Sequence, residues 1–378
     1  MSSCAPLGTT CRSGTVSASR RACRTSRSPT RTSRRSRSAE SEAREVVRSG
    51  EEHRPTPPGA NDGDGDGEPA RLHLPVLRDR VVELFDVPEL AAATLVDCTL
   101  GLGGHTEALL ERMPRARLVG IDRDREALEL ASRRLQRFGS RFLAVHGRFD
   151  DIGPLLRRQG IDRVGGVLAD LGVSSMQLDR ADRGFSFRHD APLDMRMDRS
   201  CGITAAELVN RSSEGDLVRI LRDYGEERRA RRIARAMVDR RQQAPIETTG
   251  ELRDLVHRVA PAPPGRRTID PATRTFQALR IEVNQELAGL RDFLDRSLEQ
   301  LDGEGRLVVI SYHSLEDRIV KHSLRRHSIG EVDPTTGRER AETRLVELLT
   351  KKPVRPSGQE VRANPRARSA RLRAARRL

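Results

Sequence analysis

Short apolar runs alternate with amphipathic stretches through the first half of the chain, beginning near residue 73. Each run is short enough to be a buried strand, and the leucines and alanines of the stretches between them recur at helical spacing, as in 127–135. Strands that alternate with helices predict a parallel sheet covered by helices on both faces. The predicted strands are residues 91–96, 117–121, 142–145 and 164–169.

The alternation stops between residues 183 and 270, where the spacing predicts helices and no strand. One of these helices is expected over 226–241. After Pro271 a single apolar stripe from Phe276 to Leu298 predicts one long helix. A strand at 306–310 and an edge strand at 345–349 then resume the sheet. The pattern therefore predicts an α/β domain interrupted by a helical insertion.

The first strand runs into a glycine-rich turn, DCTLGLGGHT, from Asp97 to Thr106. Gly101, Gly103 and Gly104 permit positive φ angles and close approach of the backbone, and the helix that follows offers unpaired N–H groups. The motif is typical of a nucleotide pocket, although a tight turn without a ligand also fits it. Thr106 stands where a dinucleotide motif has its third glycine, which counts against NAD.

Polar or aromatic residues stand at four successive strand ends, where ligands of parallel sheets bind. Asp122 is placed to accept hydrogen bonds from ribose hydroxyls, or else to cap the helix that begins near Asp124. Asp170 is placed to bind an amine of a cofactor or substrate, or to cap a turn. Phe149 is expected to pack against a flat ring or in the core, and Gln177 to lie near the same edge. The four strand-end residues are Asp97, Asp122, Phe149 and Asp170.

The net charge of +14 is concentrated at the two ends of the chain. Residues 1–38 contain nine arginines and no acid, and residues 354–378 contain eight arginines and one glutamate, so the region between is nearly neutral. Residues 1–70 are low in complexity and are expected to be disordered, with a transit-peptide-like composition at their start. The basic tail predicts a polyanionic partner, and we expect it to stay disordered until RNA binds.

Several classes of protein are excluded. The five cysteines form no C-x-x-C pair, which argues against a disulfide framework or a zinc site and favours a reducing, cytoplasmic compartment. No apolar run approaches 18 residues, so no membrane association is expected. A G-x-S-x-G elbow and a phosphate loop are also absent. His313 and Asp317, which follow the strand expected at 306–310, are a candidate hydrolase-type pair.

The helix expected at 226–241 carries a basic face opposite Ile233 and Met237. Such a face is consistent with contacts to RNA phosphates. The alternative is an exposed face neutralised by Glu226 and Glu227. The candidate RNA-binding residues are Arg228, Arg231, Arg232 and Arg235.

Long motifs in a fixed order cover residues 71–378. The chain resembles the MraW family of bacterial 16S ribosomal RNA (cytosine-N4) methyltransferases. The motifs that carry the resemblance are HLPVL at 73–77, DCTLGLGGHT at 97–106, IDRD at 121–124, HGRF at 146–149, DLGVSSMQLD at 170–179, RGFSFRHDAPLDMRMD at 183–198, YGEERRARRIARAM at 224–237, TRTFQALRIEVNQEL at 273–287, SYHSLEDRIVK at 311–321 and TKKPVRPSGQEVRANPRARSARLR at 350–373.

The resemblance implies a class I S-adenosylmethionine-dependent methyltransferase, Rossmann-like, with an all-helical insertion. It also implies methylation of the N4 of cytosine 1402 in the 16S rRNA of the small ribosomal subunit. No metal is expected, and both a monomer and a homodimer are compatible with the sequence. The parts would be an extension at 1–70, methyltransferase segments at 71–182 and 271–353, an RNA-recognising insertion at 183–270 and a basic tail at 354–378. The implied cofactor contacts are Gly103, Gly104, His105, Asp122, Phe149, Asp170 and Gln177.

Two departures bear on the site. Met176 stands where the family more often has proline, and DLGVSS occupies the place of the D/N-P-P-Y motif of many amino-methyltransferases. Asp170 is the candidate proton acceptor, with a role limited to holding the cofactor as the alternative. Two other functions stay open at this point, an NAD-dependent dehydrogenase and a non-catalytic RNA-binding factor.

Overall fold

A computed structural model describes residues 75–261 and 270–378. The extension predicted at 1–70 lies outside the described residues. Within these ranges seven strands form one sheet: β1 (Thr94–Asp97), β2 (Arg117–Asp122), β3 (Phe142–His146), β4 (Val164–Asp170), β5 (Leu301–Ser311), β6 (Val346–Leu348) and β7 (Arg371–Arg377). Their order is β3-β2-β1-β4-β5-β7-β6. The neighbours from β3 to β5 are parallel, and β7 is antiparallel to both β5 and β6. The order reverses between β1 and β4, which is where such sheets bind ligands.

Helices cover both faces of the sheet, as predicted. Alternation along the strands produces the two faces: Leu95 and Leu118 pack with one core cluster, and Val96 and Val119 pack with the other. The helices of this part are α1 (Arg78–Phe85), α2 (Gly104–Arg112), α3 (Arg125–Leu135), α4 (Ile152–Arg158) and α5 (Ser175–Asp179).

The middle of the chain folds into helices around its own apolar core. These helices are α6 (Ala205–Arg211), α7 (Glu214–Asp223), α8 (Ala230–Gln243), α9 (Thr249–Val259) and α10 (Ala272–Asn284). The core continues beyond residue 270, because Phe276 and Leu279 of α10 are buried in it. No helix in the described ranges is long and apolar enough to cross a membrane.

The prediction of a single long helix after Pro271 is wrong. The segment forms two helices, α10 and α11 (Leu290–Gln300), because Gln285 ends the first with a left-handed φ of 52°. The buried Asn284 just before it hydrogen-bonds the backbone of Met195 and Met197, which ties the end of α10 to another segment. The residue that ends α10 is neither glycine nor proline, and Gly289 comes only at the start of α11, so the apolar stripe does not reveal where α10 ends.

The prediction of a disordered basic tail is also wrong for residues 371–377, which form β7 inside the sheet. Arginines alternate with apolar residues at the start of this strand, so no apolar run marks it in the sequence. The strand can lie inside the sheet because these arginines pair with an acid. Arg371 and Arg373 both bind Asp317, while Leu372 and Ala374 are fully buried. The remaining helices are α12 (Ser314–His327), after β5, and α13 (Gly358–Ala363), before β7.

Candidate functional site

A cavity of about 440 Å³ opens at the carboxyl ends of the strands, within the size range of small-molecule sites. Gly103 is the predicted cofactor contact that does not line it. Its φ is +78°, and a Cβ there would lie 2.9 Å from Leu135, so this glycine allows the β1–α2 turn to pack against α3. The predicted residues that do line the cavity are Gly104, His105, Asp122, Phe149, Asp170 and Gln177.

The glycine turn is held by carboxylates at the ends of two strands. Asp97 accepts hydrogen bonds from the Thr99 N–H at 3.2 Å and the Thr106 hydroxyl at 2.9 Å. Gly101, with φ of +51°, donates its N–H to Asp122 at 2.7 Å. The turn after β1 is therefore bonded directly to the end of β2.

Asp122 does not cap the helix that follows it. That role belongs to Asp124, which accepts from the N–H of Glu126 at the start of α3. The Asp122 carboxylate instead accepts one backbone N–H on each oxygen, from Gly101 and Asp124, and it borders the cavity. Burial raises the pKa of Asp122, although these two bonds oppose the effect. Each oxygen keeps a lone pair for a further donor.

Gln177 is buried beside the cavity with its amide group anchored. Its nitrogen donates to Asp124 at 2.9 Å, and its oxygen accepts from the Ser174 N–H at 3.1 Å. The same Asp124 oxygen accepts from Arg183 at 2.8 Å, and Arg183 also donates to the carbonyl of Met197. No local sequence pattern predicts the role of Arg183, because these partners lie 59 and 14 residues away along the chain.

Asp170 is contacted from two sides. The Tyr312 hydroxyl donates to Oδ1 at 2.9 Å, and Nε2 of His105 lies 3.5 Å from Oδ2. His105 is buried, and neither of its ring nitrogens makes a hydrogen bond within the described residues. Asp97, which faces the same imidazole, has its pKa raised to about 6 because burial outweighs its hydrogen bonds and the attraction of His105.

Phe149 satisfies both interpretations of its position. Its ring borders the cavity, and it also packs edge-on against Phe293 of α11, with 5.0 Å between the ring centroids. The aromatic wall is therefore fixed in place by the core beneath it.

A second polar group, formed by Glu286, His313 and Glu316, has the residue types of a metal site. Arg280, however, donates to both oxygens of Glu286, at 2.9 and 2.8 Å. Glu316 accepts from the N–H groups of Tyr312 and His313 at the start of α12. These carboxylates thus already have cationic or N–H partners.

The hydrolase-type pair of His313 and Asp317 is not formed. His313 caps α12 and lies next to Glu316, while Asp317 accepts from Arg371 and Arg373 of β7. Both residues therefore have structural partners that explain their positions.

The basic face expected on the helix 226–241 begins later than predicted. α8 starts at Ala230, because Glu226 has a left-handed φ of 48°, so Arg228 lies before the helix. Glu226 contacts Ser314 and Arg318, and Glu227 binds the backbone of Arg229. The predicted arginines are exposed, and none of them pairs with an acid in the described part of the chain. These are Arg228, Arg231, Arg232 and Arg235.

The strand order, the antiparallel β7, the glycine turn after β1 and the acid at the end of β2 define a class I S-adenosylmethionine-dependent methyltransferase. The cavity fits that cofactor. It offers an aromatic wall at Phe149, a carboxylate at Asp122 and a second carboxylate, Asp170. Beside Asp170 lies the buried imidazole of His105, whose nitrogens make no hydrogen bond within the described residues.

Comparison with known proteins agrees with this class. The model of the MraW methylase family matches residues 70–378, and the chain belongs to that family. Two relatives named ribosomal RNA small subunit methyltransferase H are each 52% identical. The one from Nocardioides covers 80% of this chain and 95% of its own, and the one from Thermobifida fusca covers 82% and 95%. A solved putative rRNA-methylase from Clostridium thermocellum, at 12% identity, covers 80% of this chain and 95% of its own with a TM-score of 0.36.

Proposed function

We propose that this protein transfers a methyl group from S-adenosylmethionine to the exocyclic N4 of cytosine 1402 in the 16S rRNA of the small ribosomal subunit, in the cytoplasm. The names of its relatives support the small-subunit rRNA as substrate. The observation that carries the proposal is Asp170, a carboxylate at the end of β4 that lines the cavity and is oriented by Tyr312.

The cofactor is assigned to the part of the cavity next to the β1–α2 turn. The backbone of Gly104 and the side chain of His105 would hold its methionine end, since both lie at the start of α2. Asp122 would accept from the ribose hydroxyls with its free lone pairs. Phe149 would pack against the adenine, and Gln177, whose amide is already anchored, would shape the wall beside it.

S-adenosylmethionine supplies a methyl group bound to a positively charged sulfur, and the sulfur becomes a neutral thioether when the methyl group is transferred. The protein must hold N4 in line with that methyl, because the N4 lone pair is delocalised into the ring and is a poor nucleophile. N4 also loses a proton, and Asp170 is the acceptor placed for it. A positioned acceptor contributes about 10²–10⁴-fold to the rate.

The exposed Arg231, Arg232 and Arg235 of α8, with Arg228 two residues before the helix begins, would bind the phosphates of the rRNA. The target cytosine must leave its stack, or already be unpaired, to reach the cavity. Because the insertion is built around its own core, its basic face is presented on a rigid support.

The test is methyl transfer from labelled S-adenosylmethionine to small subunits, followed by digestion to nucleosides. We expect N4-methylcytidine from the wild type. We expect Asp170→Asn to lower kcat by about 10²–10⁴-fold with the cofactor dissociation constant within about threefold, because the amide cannot take the proton. Asp162→Asn, at an exposed position just before β4, is the control. Loss of cofactor binding in Asp170→Asn would instead make Asp170 a cofactor ligand, and no transfer by the wild type would indicate a non-catalytic RNA-binding factor.

A further inference from the structure

Tyr312 is a polar side chain of the cavity to which the sequence pattern assigns no role. It directly follows β5, and its hydroxyl donates to Asp170 Oδ1 at 2.9 Å. A Cβ on Gly172 would lie 3.5 Å from the tyrosine ring, so the ring packs closely over the backbone that follows β4. The Tyr312 N–H donates to Glu316 at 2.8 Å, which fixes the main chain as well.

The backbone after Asp170 needs such a support. Its sequence, DLGVSS, contains no proline to restrict φ, and Gly172 has a φ of +100° that few other residues adopt. The main-chain N–H of Asp170 is held by the Thr99 hydroxyl at 2.6 Å. The side chain of Asp170 depends on Tyr312 for its only hydrogen bond within the described residues.

The Tyr312 hydroxyl keeps its proton. Burial, with Asp170 next to it, raises the pKa of Tyr312 well above its usual value. The phenol therefore acts as the donor in its hydrogen bond to Asp170 Oδ1.

We propose that Tyr312 is a positioning residue for methyl transfer, holding Oδ1 of Asp170 so that Oδ2 is the oxygen presented to the acceptor amine. The inference rests on the proposed function, in which N4 of a cytosine is that amine. In the step, the N4 lone pair forms the new N–C bond as the S–C bond breaks and leaves its electron pair on sulfur. The proton of N4 passes to Asp170 Oδ2.

Several titratable groups surround this carboxylate. Asp97 and His105 face it from β1 and α2, and Glu316 and Glu360 act on Tyr312 from α12 and α13. All of them remain in place when only the phenolic oxygen is removed. Tyr312→Phe therefore isolates one hydrogen bond, and the retained ring still packs against Gly172.

The experiment compares Tyr312→Phe with Tyr224→Phe, which alters the only other tyrosine of the chain, in the helical insertion. For Tyr312→Phe we expect kcat to fall about tenfold or more, while KM for small subunits and the cofactor dissociation constant stay within about twofold. A loss confined to kcat separates positioning of the carboxylate from a purely structural role of Tyr312, which would also change KM or the cofactor dissociation constant. Tyr224→Phe should match the wild type in all these measurements.

Three outcomes overturn the inference. If Tyr312→Phe has the kcat of an active wild type, Tyr312 has no positioning role and the proposed function still stands. If the variant weakens cofactor binding at unchanged kcat, Tyr312 supports the cofactor seat instead. A wild type that forms no N4-methylcytidine overturns the proposed function first, and this inference with it.

Discussion

Asp97 shows how one buried residue links the glycine turn to pH. The carboxyl is 1% exposed, and burial raises its pKa from 3.8 to about 6. The folded state therefore binds this proton more tightly than the unfolded state. The contribution of Asp97 to stability is lost as the pH rises from about 4 to about 6, and it stays lost above that.

Asp97→Asn tests this contribution. The difference in unfolding free energy between the variant and the wild type should shift by about 3 kcal/mol in favour of the variant between pH 4 and pH 7, because the amide never ionises. Urea unfolding at a series of pH values measures the difference, with Asp239→Asn as the exposed control. A difference that is constant with pH would contradict the burial of an ionisable Asp97.

Residues at strand ends could be found from the sequence, and residues that orient them could not. Asp122, Phe149 and Asp170 were predicted because the end of a parallel strand has a known position in the fold. Tyr312 also stands at a strand end, directly after β5, but its partner Asp170 is 142 residues away. Arg183 acts on Asp124 from 59 residues away, so no local pattern shows what either residue orients.

At the scale of elements, the proposed RNA interface consists of the exposed arginines of α8 and of Arg228, two residues before the helix begins. Changing Arg228, Arg231, Arg232 and Arg235 together to Gln should weaken binding to 16S rRNA and reduce its salt dependence. Each lost phosphate contact lowers the slope of log K against log salt by about 0.7–0.9. Fluorescence anisotropy over a salt series measures both quantities.

A matched control is Arg157→Gln with Arg158→Gln. These arginines are exposed at the end of α4, which runs away from the edge of the sheet where the cavity opens. This pair should change affinity far less per charge removed. Equal losses of affinity per charge removed in the two sets would mean that overall charge, and not the α8 face, drives binding.

Strands and helices are predicted from the sequence where apolar residues recur at a clear spacing, and they are missed where that spacing does not show the element or its end. The sequence predicts β1 to β4 within a few residues. It misses β7, because arginines alternate with its buried residues, and the break between α10 and α11, because a left-handed Gln285 ends α10 without glycine or proline. Both misses reflect contacts formed only in the folded chain, with Asp317 and with the segment around Met197.

At the scale of the whole molecule, polar bonds join the helical insertion to the edge of the sheet where the cavity opens. The Asn284 amide holds the backbone of Met195 and Met197, and Arg123 donates to the carbonyl of Asn284 at 2.9 Å. Arg183 joins the same segment to Asp124, at the start of α3. The surface proposed to bind RNA and the cavity proposed to bind cofactor are thus parts of one connected structure.

The proposed transfer of a methyl group to N4 of cytosine 1402 is tested most directly by comparing two substrates. Unmodified small subunits, and subunits whose 16S rRNA carries uridine at position 1402, are incubated with the protein and labelled S-adenosylmethionine, and the labelled nucleotide is mapped. We predict about one methyl group per subunit at position 1402 for the first and none for the second. Equal labelling of both, or a label at another nucleotide, would contradict the account.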